Sequence, residues 1–369
     1  MAYARARLVL GIVTVSFWIL LAGVAFLQGV PAKIGSLVEG TGTFWTLGLF
    51  LGGYVLISFP FDWFGGHRLP VLHGRSHESF GKWGLKWLRG AGIHMIYLWI
   101  SGYMILVMAG WLGILGALLW VGIQMLLLTG FQIYMAIAIA PLPMDQSSHR
   151  GRFVYYVNSV DKSFTGGIHG MPGVEGIVMP VYWKEKFSEK IMEVLLARRH
   201  GAINSGSHGR GILLAIGVNA ALFAAAAYLS PLPLDTVGGL ISTSLLFTLF
   251  SAVSMLGLLP WLSRTAILEI DRWVYFKKID GDDLRASIEA TQRLQNDMRP
   301  LLGKMSSLLL SFPTKEMRLS HLQTQKALKG AWQANRHNVY TSWAGLNLLS
   351  RAMPYHIGKP ELWVFLPGD

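Results

Sequence analysis

The residues of this chain best suited to chemistry gather in two stretches. "KIMEVLLARRHGAINSGSHG", residues 190–209, carries Arg198, Arg199, His200 and His208, and "SRTAILEID", residues 263–271, carries Arg264, Glu269 and Asp271. Imidazoles and carboxylates are common zinc ligands, and His169 stands a short way upstream as a further candidate. The spacing argues against a shared ion. His200 and His208 lie eight residues apart, which on one helix separates them by ~12 Å unless the chain breaks at Gly201 or Gly206. They read as polar residues where a helix meets a membrane, and Asp271 reads as an ion-pair partner for Arg198, Arg199 or Arg264. His73 and His77 have the spacing to share a helical face beside Glu78, but Pro70, Gly74 and Ser76 oppose a regular helix and no third ligand stands near. No Ser/His/Asp motif and no glycine-rich phosphate loop can be placed. The absence of cysteine removes disulfides, thiolate nucleophiles and cysteine-held metals.

What must position these residues is a membrane. Of 369 residues, 52% are hydrophobic and only 14% charged, with a mean hydropathy of +0.43, too apolar for an ordinary soluble domain. A crossing helix needs about 20 mostly apolar residues, and six such runs occur, at 8–30, 43–61, 92–111, 114–140, 211–231 and 236–261. The third and fourth are halves of one long apolar block, divisible at Gly110-Trp111-Leu112-Gly113. Six spans put both termini on one side. With that side cytoplasmic, the outside loops 31–42, 112–113 and 232–235 hold Lys33 alone of the 32 lysines and arginines, as the positive-inside rule requires. The net charge of +12 thus suits anionic headgroups on one membrane face and requires no nucleic acid. Residues 1–30 read as an uncleaved anchor. Charged residues are missing from the middle of every span, which argues against transport driven by buried charge.

Between the spans, "HGRSHESFGKWGLKWLRG" places Phe80, Trp83, Trp87 and Leu88 at helical spacing with Lys82, Lys86 and Arg89, the pattern of a basic amphipathic helix lying in the headgroup region. "GIVMPVYW" predicts a short strand with Pro180 at an end or edge, and Ile191, Val194, Leu195 and Ile203 predict the helix after it. Asp280-Gly281 breaks a later helical stretch, and Asp282 or Asp283 can cap the next. The tail carries Trp332, Tyr340, Trp343, Tyr355 and Trp363, aromatics of the kind that anchor interfaces or pack a tail onto its own domain.

The order of these parts (strand, helix, membrane pair, a helix opening Ser-Arg, then a Pro-marked turn before an Arg-containing helix) resembles the membrane zinc metallopeptidases of the HtpX and CAAX prenyl protease type. The likeness covers residues 170–325 with gaps. Ser263, Arg264 and Asp271 match the family's Ser-Arg-x-x-Glu-x-x-Ala-Asp segment, and Ser311, Pro313 and Arg318 match its later turn and helix. The resemblance implies zinc held by a His-Glu-x-x-His helix and a third carboxylate, yet Arg198 and Ala202 stand at the two histidine positions, Arg199 at the general base, Ile267 at the third ligand and Phe312 at the histidine of the turn. Guanidinium groups stay protonated, bind no cation and repel one. The resemblance with these losses implies a pseudo-metallopeptidase without cofactor or metal.

The chain therefore reads as a mainly α polytopic membrane protein with about six transmembrane helices and a cytoplasmic α+β metallopeptidase-like domain. Its parts are 1–61 (two spans), 62–91 (basic amphipathic segment), 92–142 (two spans), 143–210 (strand and degenerate active-site helix), 211–261 (two spans) and 262–369 (helical region and aromatic tail). The expected location is the cell (inner) membrane with termini and soluble domain cytoplasmic. The expected role is a binding or scaffolding subunit of a membrane complex, with the lipid bilayer and other subunits as partners. The alternatives are an active zinc peptidase with a non-standard site and a lipid- or quinone-handling membrane protein.

Overall fold

The computed structural model describes residues 2–159, 161, 164–277, 279–294, 312–322 and 329–365. The chain opens with α1 (Ala2–Leu27), two short helices α2 (Val30–Gly35) and α3 (Val38–Thr41), and α4 (Thr43–Trp63). A π-helical turn, Phe64–Arg68, leads to α5 (Leu69–Leu72). Next comes α6 (Phe80–Gly130), 51 residues, capped by Ser79. A straight helix of that length would reach ~76 Å, more than twice the hydrocarbon core. It folds back instead. Gly113 has φ 62°, ψ −148°, a combination open essentially to glycine alone, and a Cβ on Gly116 would lie 2.2 Å from the Met108 carbonyl oxygen. At the far ends of the two arms, Arg89 donates to the Ala138 carbonyl at 2.8 Å. Gln132–Ile139 forms α7.

Among the described residues, five helical stretches are long and apolar enough to cross a membrane: Tyr3–Leu27, Thr43–Leu72, Phe80–Gly130, Ser207–Leu229 and Val237–Phe276. With α6 doubled at Gly113, within the stretch predicted to divide, these five carry the six runs read from the sequence. The stretch predicted as a basic amphipathic helix of the headgroup region is helical. Its residues form the first turns of α6, continuous with the span, and Trp83 and Trp87 are buried in protein rather than facing lipid.

Beyond α7 a four-stranded sheet forms, of which the sequence betrayed one strand. β1 (Met144–His149) and β2 (Arg152–Val157) make a hairpin through Arg150 and Gly151, at φ 49° and 78°, the left-handed pair that a two-residue turn needs. β3 (Gly167–His169) and β4 (Gly176–Pro180) complete the order β1-β2-β4-β3. β4 runs parallel to β2 and antiparallel to β3, so Pro180 closes an interior strand and leaves no missing donor in its middle. The short α8 (Tyr182–Lys186) leads to α9 (Glu189–Asn204), capped by Ser188. α10 (Ser207–Leu229) and α11 (Val237–Leu256) follow, and Gly257 separates α11 from α12 (Leu258–Phe276). Among the described residues, α13 (Gly281–Leu294), α14 (Lys315–Leu322) and α15 (Ala334–Thr341) are the later α-helices. The cap before α13 is Asp280, whose Oδ1 accepts from the Asp282 amide at 3.0 Å, not Asp282 or Asp283 as predicted.

The tail is the centre of the molecule. Trp332, Tyr340, Trp343 and Trp363 are buried and Tyr355 half-buried, so of the two roles open to these aromatics they take the internal one, packing the tail within its own chain. Irregular backbone at membrane depth is tolerated only where protein satisfies its polar groups, and side chains of the spanning helices do so. Ser244 donates to the Leu346 carbonyl at 2.6 Å, Ser101 to Ala344 at 3.4 Å, Tyr54 to Leu348 at 3.4 Å, Asn219 to Asn338 at 2.9 Å and Gln132 to Val364 at 3.2 Å. Thr248 accepts from the Leu348 amide at 3.1 Å.

Candidate functional site

The two chemistry-bearing stretches do meet, on α9 and α12, and what they build is an ion-pair centre. Asp271 is fully buried on α12. Its Oδ1 accepts from Arg198 Nε at 2.8 Å and from Arg318 Nη2 at 2.9 Å, and its Oδ2 accepts from Arg318 Nε at 2.6 Å. Arg318 on α14 thus grips the carboxylate through two nitrogens, the geometry for which a guanidinium fork is shaped. Arg198 also lies over the Trp332 indole, 5.9 Å from the ring centroid. Of the three partners predicted for Asp271, Arg198 is one. Arg318, its second partner, was marked in the sequence only as a framework residue.

Arg199 turns away from this centre. It donates to the Leu195 carbonyl at 3.0 Å and to the Thr165 carbonyl at 2.8 Å, with its guanidinium 5.5 Å from the Trp183 ring. Ala202, Ile267 and Phe312 are buried in one apolar core with Trp332, so two positions that the resemblance assigns to ligands, and the histidine position of its turn, hold carbon. Ser263 accepts the Asn335 amide at 3.2 Å, tying the tail to α12, and Arg264 is half-buried on the same helix. Ser311 lies outside the described residues.

The histidines are dispersed. His200, expected at a membrane boundary, is buried and faces His149 of β1, Nε2 to Nδ1 at 3.0 Å. Burial, then His149, Arg152 and Arg150, push His200 down to about 4, and burial with Arg150 behind it lowers His149. Both rings are therefore neutral at pH 7, one donating to the other. His169 is pushed down to about 4 by burial, with His208 the next cause, while His208 Nε2 meets the Gly170 carbonyl at 3.2 Å. His73 bonds the Leu69 carbonyl at 3.0 Å, in a turn that is not helical, and Glu78 pairs with Lys86. Glu269 pairs with Arg210 at 3.0 Å and accepts the Gly330 amide at 2.7 Å. Among the described residues no three metal-ligating side chains are grouped to hold an ion.

A second buried ion pair was missed. Asp62, at the end of α4, accepts from Trp87 Nε1 at 2.9 Å and the Gly358 amide at 2.8 Å, and pairs with Arg351 of the tail. Glycines permit the approach: Gly358 has φ +68°, and a Cβ there would sit 1.8 Å from the Asp62 carbonyl oxygen.

This bundle, with a small sheet and a buried α9–α12 crossing, matches solved structures, eight chains in all. The crystal structure of S. mikatae Ste24p superposes with a TM-score of 0.67 over 87% of this chain and 87% of that one, at 16% sequence identity. The fold is that of Ste24p. No family model matches the sequence, and no curated protein matches it. The likeness supports the architecture that the residue order implied, and extends it beyond residues 170–325. Zinc, which the resemblance implies, does not fit the residues present: Arg198, Ala202 and Ile267 offer no lone pair to a cation, and the one carboxylate at the crossing already accepts from two guanidinium groups.

Proposed function

We propose that this chain is a catalytically inactive, metallopeptidase-like protein of the cell membrane that acts by binding, as a subunit of a membrane assembly, with its sheet-bearing end and termini cytoplasmic. The observation that carries the reading is Asp271 held between Arg198 and Arg318 at the α9–α12 crossing. Hydrolysis at a zinc centre needs a cation to ionise water and a base to move its proton. Here the corresponding positions bear fixed positive charge or hydrocarbon. Because the tail aromatics are internal, subunit contacts would fall elsewhere, and the solvent-facing edge of β1 is one available surface.

Metal analysis of the purified full chain, with a cleavage assay on a model peptide, tests the central statement. The expected result is zinc far below one equivalent and no cleavage that responds to a chelator. One equivalent of zinc together with chelator-sensitive cleavage overturns it. Extraction in mild detergent tests the assembly: a reproducible co-purifying subunit is expected, and migration as a bare monomer in every extract counts against it.

A further inference from the structure

An apolar groove of about 340 Å³ runs inward between α1, α4 and α11, lined by Trp18, Ala22, Phe50, Gly53 and Ile241 and ending on Leu348 of the buried tail. We infer that it binds one acyl chain of a zwitterionic phospholipid. This site stands apart from the ion-pair centre, and the inference holds whether or not that centre is inert.

Three properties select the occupant. The lining is almost wholly carbon, which excludes water, since a buried water needs two to four polar partners, and excludes a peptide, whose amides would go unsatisfied. The groove also continues the lipid-facing surface, where Leu20, Val24 and Leu56 stand exposed beside it, so hydrocarbon reaches it directly from the bilayer. Its volume lies near the lower end of small-ligand sites, roughly 300–1,000 Å³, suited to a single slender chain. At one end, Val30 and Ile34 of α2 line the groove. Lys33 on that helix and Glu39 on α3 are exposed there, giving a headgroup with a phosphate and an ammonium one partner of each sign.

Gly53 provides a clean variant, because a Cβ at that position meets nothing within 4 Å. The full chain would be placed in nanodiscs containing phosphatidylethanolamine with a diazirine midway along one acyl chain, irradiated, digested and mapped by mass spectrometry. Cross-links should concentrate on the peptides holding Trp18–Ala25 and Leu49–Ile57, at least fivefold above those on Leu112–Leu119. They should fall at least fivefold in Gly53→Phe and stay unchanged in Gly217→Phe, a lipid-exposed glycine that likewise has open space. Should Gly53→Phe fail to fold, native mass spectrometry of the unaltered chain decides, with one retained phospholipid expected. Labelling spread evenly around the bundle, labelling unaffected by Gly53→Phe, or a stoichiometric quinone or isoprenoid in place of phospholipid overturns the inference.

Discussion

Two adjacent arginines show how far a single residue can be read from sequence. Arg198 and Arg199 are both fully buried, yet one meets Asp271 and the other donates to the carbonyls of Leu195 and Thr165. Neighbouring positions on a helix differ by ~100° in direction, and nothing local says which faces α12. Buried ion pairs contribute little net stability, while removing one partner strands a charge. Asp271→Ala should therefore cost about 3–5 kcal/mol, and the triple variant Arg198→Met, Asp271→Leu, Arg318→Met should recover most of that loss. Detergent-solubilised protein melted by tryptophan fluorescence would show it; a triple variant as unstable as Asp271→Ala refutes the assignment. The His149–His200 pair has a different signature. His200 titrates near 4 when folded and near 6.5 unfolded, so the unfolded chain binds the extra proton. Stability from the neutral pair is complete above pH 6.5 and is lost as pH falls toward 4. His200→Gln should flatten the fall in melting temperature across that window, leaving the slope that belongs to His169 and the other buried histidines.

At the scale of elements, hydropathy delivered the spans because crossing length is fixed by the bilayer and nothing else in the chain competes with it. Strands fared worse. β1 reads Met-Asp-Gln-Ser-Ser-His, with no alternation and little β-preference, and exists because β2 pairs with it across a turn; β3 has three residues. Their signal lies in tertiary pairing rather than in local pattern. The helical hairpin is the opposite case, since its turn rests on one glycine at φ 62° that a Cβ could occupy without touching any neighbour. Gly113→Ala should then cost the conformational term alone, about 1–3 kcal/mol, in urea or SDS unfolding, while Gly110→Ala on the same stretch, in helical conformation, costs nothing or adds stability. Equal losses at the two sites would argue that the turn lies elsewhere.

Across the whole molecule, the feature least legible in sequence is the path of the tail. Its polar and aromatic composition suggests an aqueous domain, but it lies inside a bundle whose interior carries Ser101, Asn219, Ser244 and Thr248 to receive its backbone. Nothing local marks those residues as receivers of the tail, because their partners lie ~100 or more residues away and follow no periodicity. Asp62 and Arg351, 289 residues apart, fasten this arrangement. Asp62→Asn keeps the shape of the carboxylate and removes its charge, leaving Arg351 buried at the interior face with no counter-ion, at an expected cost of about 3–5 kcal/mol. Pairing it with Arg351→Met should restore most of the stability, since the stranded guanidinium is then gone, although the single amide oxygen can keep only one of the two donors, Trp87 Nε1 and the Gly358 amide, that the carboxylate holds on separate oxygens. The readout that separates a latch from mere packing is protease access. Asp62→Asn alone should expose sites between Lys329 and Phe365 that the native chain and the double variant protect, whereas cleavage confined to the sheet, with the tail equally resistant in all three proteins, would show that Asp62 does not hold it.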